Sequence, residues 1–366
     1  MRIGVNKVAM SNPADVSGLR LLIEKGDVDP ARIVASIGKT EGNGGANDFT
    51  RALATLSFSR LLAQYTGGTS EDVASQVAFV WSGGCEGVLS PHATFFTRAD
   101  DDAITLGEPR LALSVQRTRD FRPEDVGRMA EVEAVADATR KALQDLAVTN
   151  ALDVHYVQVK GPLLTPAGIT DAARRGAPVV TTDPNRSKAF ARGATALGVA
   201  LGLGEVSATF VRDEVIATDM NLFSNVASTS AGGELACCEV LVFANSTRAS
   251  SKFRIGHATL RDAIDADGVR AALRGAGLQF DCAPDAAQQE RIAAVFAKAE
   301  APPTGELRGW RTTMLSDADI NYERHARAAV GAVIASITGD PAIFVSGGTE
   351  HQAPPGQAPI AAIVAC

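Results

Sequence analysis

Apolar runs that end in one polar residue recur along this chain, and the closing residues repeat in a fixed order. Three β-prone runs end in lysine: Val34-Ala35-Ser36-Ile37-Gly38-Lys39, Tyr156-Val157-Gln158-Val159-Lys160 and Ala293-Ala294-Val295-Phe296-Ala297-Lys298. Three more lead into a serine loop: Ser82-Gly83-Gly84-Cys85-Glu86, Ser230-Ala231-Gly232-Gly233-Glu234 and Ser346-Gly347-Gly348-Thr349-Glu350. Between each pair lies an Ala-rich segment of helical periodicity with an arginine near its start: Arg51, Arg192 and Arg327. The patterning predicts helices over 13–25, 48–64, 123–146, 187–203, 260–272 and 321–337. It predicts strands over 32–37, 77–81, 154–160 and 288–296, with two more running into Ser230 and Ser346. Strands alternate with helices, so the class is α/β.

The order Lys, Arg, Ser holds in all three copies, although lysine and serine are 43, 70 and 48 residues apart. The openings also correspond: Ile3-Gly4-Val5, Leu113-Ser114-Val115 and Ile255-Gly256-His257 each precede an Asp-Val or Asp-Gly. Gly-, Pro- and Asp-rich stretches near 98–109 and 245–252 divide the chain into units 1–104, 111–248 and 253–366. Domain-size statistics allow modules of roughly 110–140 residues to share one core about a pseudo-threefold axis. The chain reads as one module used three times.

Composition narrows the class of partner. A net charge of −7 disfavours nucleic acid, whose binding requires a dense cationic face. The sequence has no uncharged apolar stretch of about 18 residues, and no membrane partner is expected. Residues 1–30 lack the layout of a signal peptide. Five cysteines without metal-ligand spacing read as reduced thiols, which fits a cytoplasmic protein.

The recurring residues carry a chemistry. A serine hydroxyl is a poor nucleophile until a neighbour accepts its proton. None of the five histidines recurs with the repeat, so a Ser-His-Asp arrangement is disfavoured. Lysine does recur, and burial among cations can lower its pKa enough for it to act as the base. Three arginines would clamp electron-rich carbonyl oxygens, and the small residues after each serine offer N–H groups to a developing oxyanion. Acyl transfer at a planar polar carbonyl compound follows, most simply amide hydrolysis. A lone Ser-Gly-Gly is usually a turn and a lone lysine a solvated charge. A solvated surface has no reason to keep these three residue types together three times.

At these residues the chain resembles the cyanuric acid hydrolase and barbiturase family of cyclic amide hydrolases, over essentially its whole length. The run from Gly339 to Ser346 and the segment His351-Gln352-Ala353-Pro354-Pro355-Gly356 add to the likeness. The resemblance implies three units about a pseudo-threefold axis with the active site at the centre. It implies Ser230 as nucleophile, Lys160 as its base, and Arg51, Arg192 and Arg327 as the clamp. Ser82, Gly83, Ala231, Ser346 and Gly347 would line the pocket, with Lys39 and Lys298 polarising the ring. It also implies no organic cofactor and a structural Mg or Ca ion held by Glu300 and the carbonyls of Thr349, Gln352, Ala353, Pro354 and Gln357. One carboxylate with carbonyls suits a hard cation. The substrate would be a small cyclic amide, and the assembly a homotetramer. Cyanuric acid, with three identical carbonyl–NH units, matches three Lys-Arg-Ser sets better than barbiturate does. Barbiturate hydrolysis and non-enzymatic binding of a small molecule stand as alternatives.

Overall fold

The computed structural model describes residues 1–45, 47–100, 107–347 and 352–366. The first repeat contributes β1 (Arg2–Ala9), α1 (Ser17–Glu24), β2 (Ile33–Thr40), α2 (Thr50–Thr66), α3 (Ser70–Gln76), β3 (Ala78–Gly83) and β4 (His92–Ala99). The second contributes β5 (Arg110–Arg117), α4 (Met129–Asp145), β6 (Val154–Pro162), α5 (Pro166–Arg174), α6 (Pro184–Leu203), β7 (Ala227–Gly232) and β8 (Glu239–Ser246). In the third lie β9 (Phe253–Leu260), α7 (Ala266–Gly275), α8 (Ala286–Glu290), β10 (Ile292–Ala299), β11 (Glu306–Leu307), β12 (Trp310–Arg311), α9 (Tyr322–Thr338), β13 (Phe344–Gly347) and β14 (Ala358–Ala365).

Three four-stranded sheets follow one plan, with orders β1-β4-β2-β3, β5-β8-β6-β7 and β9-β14-β10-β13. In each, the lysine-bearing strand pairs in parallel with the serine-bearing strand, across a helical crossover. The register is the same three times: Lys39 opposite Ser82, Lys160 opposite Ser230, Lys298 opposite Ser346. An irregularity recurs at the start of each lysine strand, at Ile33/Ala35, Val154/Tyr156 and Ile292/Ala294. The arginine-bearing helices α2, α6 and α9 all end on a left-handed glycine, Gly67, Gly204 and Gly339, where a side chain would be strained.

The sheets meet over a shared core. Ile3, Ile37 and Phe96 from the first, Leu113, Tyr156 and Phe243 from the second, and Ile255, Phe296, Phe344 and Ile363 from the third form one buried cluster. Phe96 meets Phe243 edge-on with centroids 5.1 Å apart, and Tyr156 stacks on Phe296 at 5.3 Å. Residues four before each lysine are equivalent by register, yet their cross-strand pairs differ: Ala35/Phe96, Tyr156/Phe243 and Ala294/Ile363. The same central space is therefore filled by different side chains from each copy.

Most predicted elements appear, with shifted ends. The opening strands β1, β5 and β9 and the closing strands β4, β8 and β14 lie outside the predicted strands. The predicted strand 288–296 divides into α8, capped by Asp285, and β10. The predicted helix 260–272 begins only at Ala266, because Leu260 still belongs to β9. Arg192 stands mid-helix rather than near the start, since α6 begins eight residues earlier at Pro184 behind its Asp183 cap. Among the described residues, no helix is long and apolar enough to cross a membrane.

His92, opposite Lys39 on β4, is almost wholly buried, and burial pushes its imidazole down to about 4. The unfolded chain, titrating near 6.5, binds the proton first, so stability is complete above about pH 6.5 and is lost as pH falls towards 4. That separation amounts to roughly 3 kcal/mol. Urea midpoints followed from pH 7.5 to 4.5 should fall more steeply in wild type than in His92→Gln. Parallel slopes would contradict this reading.

Candidate active site

One cavity is lined by Arg51, Ser82, Gly83, Lys160, Arg192, Ser230, Ala231, Arg327, Ser346 and Gly347, joined by Gly44, Trp81 and Glu323. Each serine reaches it because its strand ends there, and Lys160 because the parallel register sets it beside Ser230. Lys39 and Lys298 do not line it; they lie buried behind it, each paired in register with a serine that does. The Lys39 amine donates to Ser82 Oγ at 3.1 Å and, across to the third sheet, to the Val345 carbonyl at 2.7 Å. The Lys298 amine crosses to the second sheet, donating to the Thr229 carbonyl at 2.8 Å. In both cases the acceptor is the residue just before another unit's serine. Lys160 differs: its amine lies 3.0 Å from Glu234 Oε1.

All three lysines are at most 2% exposed. Burial, reinforced by Arg327, brings the Lys39 ammonium down to about 7. Burial also lowers Lys160, against the pull of Glu234. An amine lowered as far as that of Lys39 can accept a proton at neutral pH, which an exposed lysine cannot. Cys85, within the first serine loop, is pushed up to about 11 by burial and stays a neutral thiol.

The arginines are held by carboxylates from neighbouring units. Arg327 on α9 makes two hydrogen bonds to Glu86, of 2.8 and 2.7 Å, and Arg324 adds a third at 3.2 Å. Arg51 on α2 lies 3.4 Å from Glu234. Glu323 at the start of α9 faces Lys188 at 3.9 Å, Arg192 at 3.6 Å and Arg327 at 3.8 Å. Burial alone would raise Glu86 and Glu234. The cations around them win, taking Glu86 below its ordinary range and Glu234 down to about 2. The recurring glutamate of the serine loop was visible in the sequence, but its role was missed; Glu323 and Lys188 carried no repeat signal.

Two backbone details fix the loop residues. Gly84 has φ +98, and a side chain there would strike Glu86 and Arg327. A Cβ on Gly347 would come within 2.5 Å of the Arg327 guanidinium. Ala231, in the equivalent place of the second loop, instead packs with Val126, Leu163, Leu164 and Ala191. The space left between the polar groups is only about 20 Å³.

The implied cation set is partly visible. Buried Glu300 accepts from the Gly356 amide at 3.3 Å, so its carboxylate faces the 352–357 turn. Gln352 commits its side chain elsewhere, accepting from the Ala217 amide at 2.8 Å and donating to the Asp219 carbonyl. Ala353, Pro354 and Gln357 lie in that turn, where the Gln357 amide donates to the Pro354 carbonyl at 3.1 Å. Thr349 lies outside the described residues. No cluster of three His, Cys, Asp or Glu occurs among the described residues. A cation here would rest on one carboxylate and carbonyls, a donor set that fits magnesium or calcium.

Residues 4–365 match the amidohydrolase ring-opening protein family. A cyclic amide hydrolase of Azorhizobium caulinodans is 67% identical over the whole of both chains. A cyanuric acid amidohydrolase of Enterobacter cloacae is 49% identical over 99% of each, and a barbiturase of a Nocardioides species 42% identical over 99% of this chain and 98% of its own. A solved cyanuric acid hydrolase structure superposes with a TM-score of 0.93 at 46% identity, covering 100% of this chain and 99% of its own. The chain belongs to the ring-opening amidohydrolase family.

Removing one partner of a buried ion pair strands the other, at a cost of about 3–5 kcal/mol. Arg327→Ala should lower the unfolding free energy by about that much, and adding Glu86→Gln should recover part of it. Chemical denaturation of the single and double variants checks this. A single-variant loss below about 1 kcal/mol would place the pair in the range of a solvated surface bridge.

Proposed function

We propose that this chain hydrolyses cyanuric acid, opening the ring to carboxybiuret, which loses carbon dioxide to give biuret. The observation that carries this reading is the convergence of three serines, three arginines and Lys160 on a single cavity, each serine paired in the same register with a buried lysine. A ring with three identical carbonyl–NH edges suits such a site. Units 1–104, 111–248 and 253–366 are read as packing about a pseudo-threefold axis with this site at the centre.

In the proposed mechanism, neutral Lys160 takes the Ser230 proton and Ser230 Oγ attacks a ring carbonyl carbon. Arg51, Arg192 and Arg327 bind ring oxygens, and loop N–H groups beside Ala231 receive the oxyanion. The ring C–N bond breaks, the proton passes from Lys160 to the leaving nitrogen, and water then cleaves the acyl-serine. Lys39–Ser82 and Lys298–Ser346 hold and polarise the other two edges. Barbiturate is the second reading, favoured by the departure of the Lys160 set from the other two. Assembly as a homotetramer in the cytoplasm is part of the proposal.

Turnover is measured as loss of ultraviolet absorbance with cyanuric and barbituric acid in parallel. Cyanuric acid should be consumed by wild type, and Ser230→Ala should lower kcat by at least about a thousandfold. Consumption of barbiturate alone would move the assignment to that ring, and an active Ser230→Ala would remove Ser230 from its role.

A structural magnesium or calcium ion is proposed at Glu300 with the carbonyls of Thr349, Gln352, Ala353, Pro354 and Gln357. When bound it would stiffen the turn after the third serine loop, and no bond-making step involves it. Elemental analysis of the purified protein should find about one divalent ion per chain, and Glu300→Gln should lose it with a fall in melting temperature. A metal-free protein of unchanged stability would refute the site.

A further inference from the structure

The three lysines share one register, but not one electrostatic setting. Lys39 and Lys298 direct their amines to main-chain carbonyls of another sheet. Lys160 meets a carboxylate, and the Glu234 Oε1 atom that it faces at 3.0 Å is also 3.4 Å from Arg51 Nε. The matching glutamate of the first loop, Glu86, is engaged instead by Arg327 and Arg324, leaving Lys39 to its serine and the Val345 carbonyl. The same residue of the repeat thus does two different things.

We propose that Glu234 is the positioning residue that sets Lys160 apart as the base, holding its amine toward Ser230 and balancing the charge formed when that amine takes the serine proton. This rests on the reading that Lys160 serves Ser230. The proton leaves Ser230 Oγ for Lys160 Nζ, an ion pair with Glu234 replaces a neutral amine beside a carboxylate, and the proton then goes to the departing ring nitrogen. Without that anion, the new ammonium would lose its contacting counter-charge while Arg51 and Arg192 still opposed it in a buried site. One further acid is near: Glu239, opposite Lys160 on β8, is raised to about 7 by burial and is paired with Arg117. The two cations and two anions facing Lys160 are therefore Arg51, Arg192, Glu234 and Glu239. Of the two acids, Glu234 contacts the amine. Arg51 shares the carboxylate, so Glu234 also ties the base of one unit to the clamp of another.

The pH dependence of kcat and KM on whichever ring is turned over separates this role from a structural one. Glu234→Gln should lower kcat at least about tenfold, within the range of acid–base contributions. It should also move the acid limb of kcat to lower pH, because the anion that raises Lys160 is gone. Glu234→Asp keeps the charge and should hold the limb near its wild-type position. Glu86→Gln should raise KM and leave the limb in place. An unmoved limb in Glu234→Gln, or an equal movement in Glu86→Gln, overturns the assignment. Should Glu234→Gln fail to fold, a limb displaced in Glu234→Asp overturns it instead. Activity surviving in Lys160→Ala would bring down the dyad itself, and this role with it; loss there with an unmoved limb brings down Glu234 alone.

Discussion

The structure depends on three amines being held out of water beside three serines. A buried ammonium is costly, and protein interiors answer that cost by lowering its pKa or by supplying acceptors. Here the parallel pairing of the lysine and serine strands does both. It puts Lys39, Lys160 and Lys298 at the inner ends of their strands, where burial is nearly complete. It also aims two of them at carbonyls of a different sheet. A slip of one residue would turn each lysine to the opposite face, so the hydrophobic pattern of these strands and the chemistry of the site constrain the same register.

Concentrating three arginines and three lysines in one region requires anions, and each arginine finds a carboxylate from across a unit boundary. Glu86 answers Arg327, Glu234 answers Arg51 and Lys160, and Glu323 faces Lys188, Arg192 and Arg327. Glu86–Arg327, Glu234–Arg51 and Glu323 with Lys188 and Arg192 each join two repeats, whereas Glu234–Lys160 and Glu323–Arg327 lie within one. The site is therefore complete only when the three sheets are docked, and the aromatic cluster of Phe96, Tyr156, Phe243 and Phe296 supplies the apolar burial that docks them. Core and site are two sides of one interface, apolar between the sheets and charged where the serine loops meet.

How much of this could be read from the sequence follows the same division. The polar residues that must meet at one point recurred, so the order Lys, Arg, Ser and the α/β class were legible. The core did not recur, because only its total volume is constrained: Ala35/Phe96, Tyr156/Phe243 and Ala294/Ile363 fill equivalent places with different sizes. That is why β4, β8 and β14, which carry half of each pair, escaped notice. Those strands carry none of the recurring Lys, Arg or Ser residues, and their buried apolar runs have no period that marks them. Arg192 was placed at the wrong depth in its helix because Pro184 and the Asp183 cap extend α6 toward its N-terminus. Glu234 was seen as part of a loop pattern, but a carboxylate's partners depend on three-dimensional neighbours that the pattern does not contain.

Linking three copies in one chain permits what a symmetric assembly of identical chains does not. In a true trimer every lysine would meet the same partner, and any change to one serine loop would appear three times. Here Gly347 must stay free of a side chain because Arg327 lies against it, whereas Ala231 is accommodated by an apolar cluster of its own unit. Lys160 can take a carboxylate partner while Lys39 keeps its carbonyl and serine. Reaction at one edge of a symmetric ring calls for this combination, since binding benefits from three similar sets while attack needs one that differs. The cost of the asymmetry is borne locally, by a single loop between β7 and β8, and leaves the register of the other two sheets untouched.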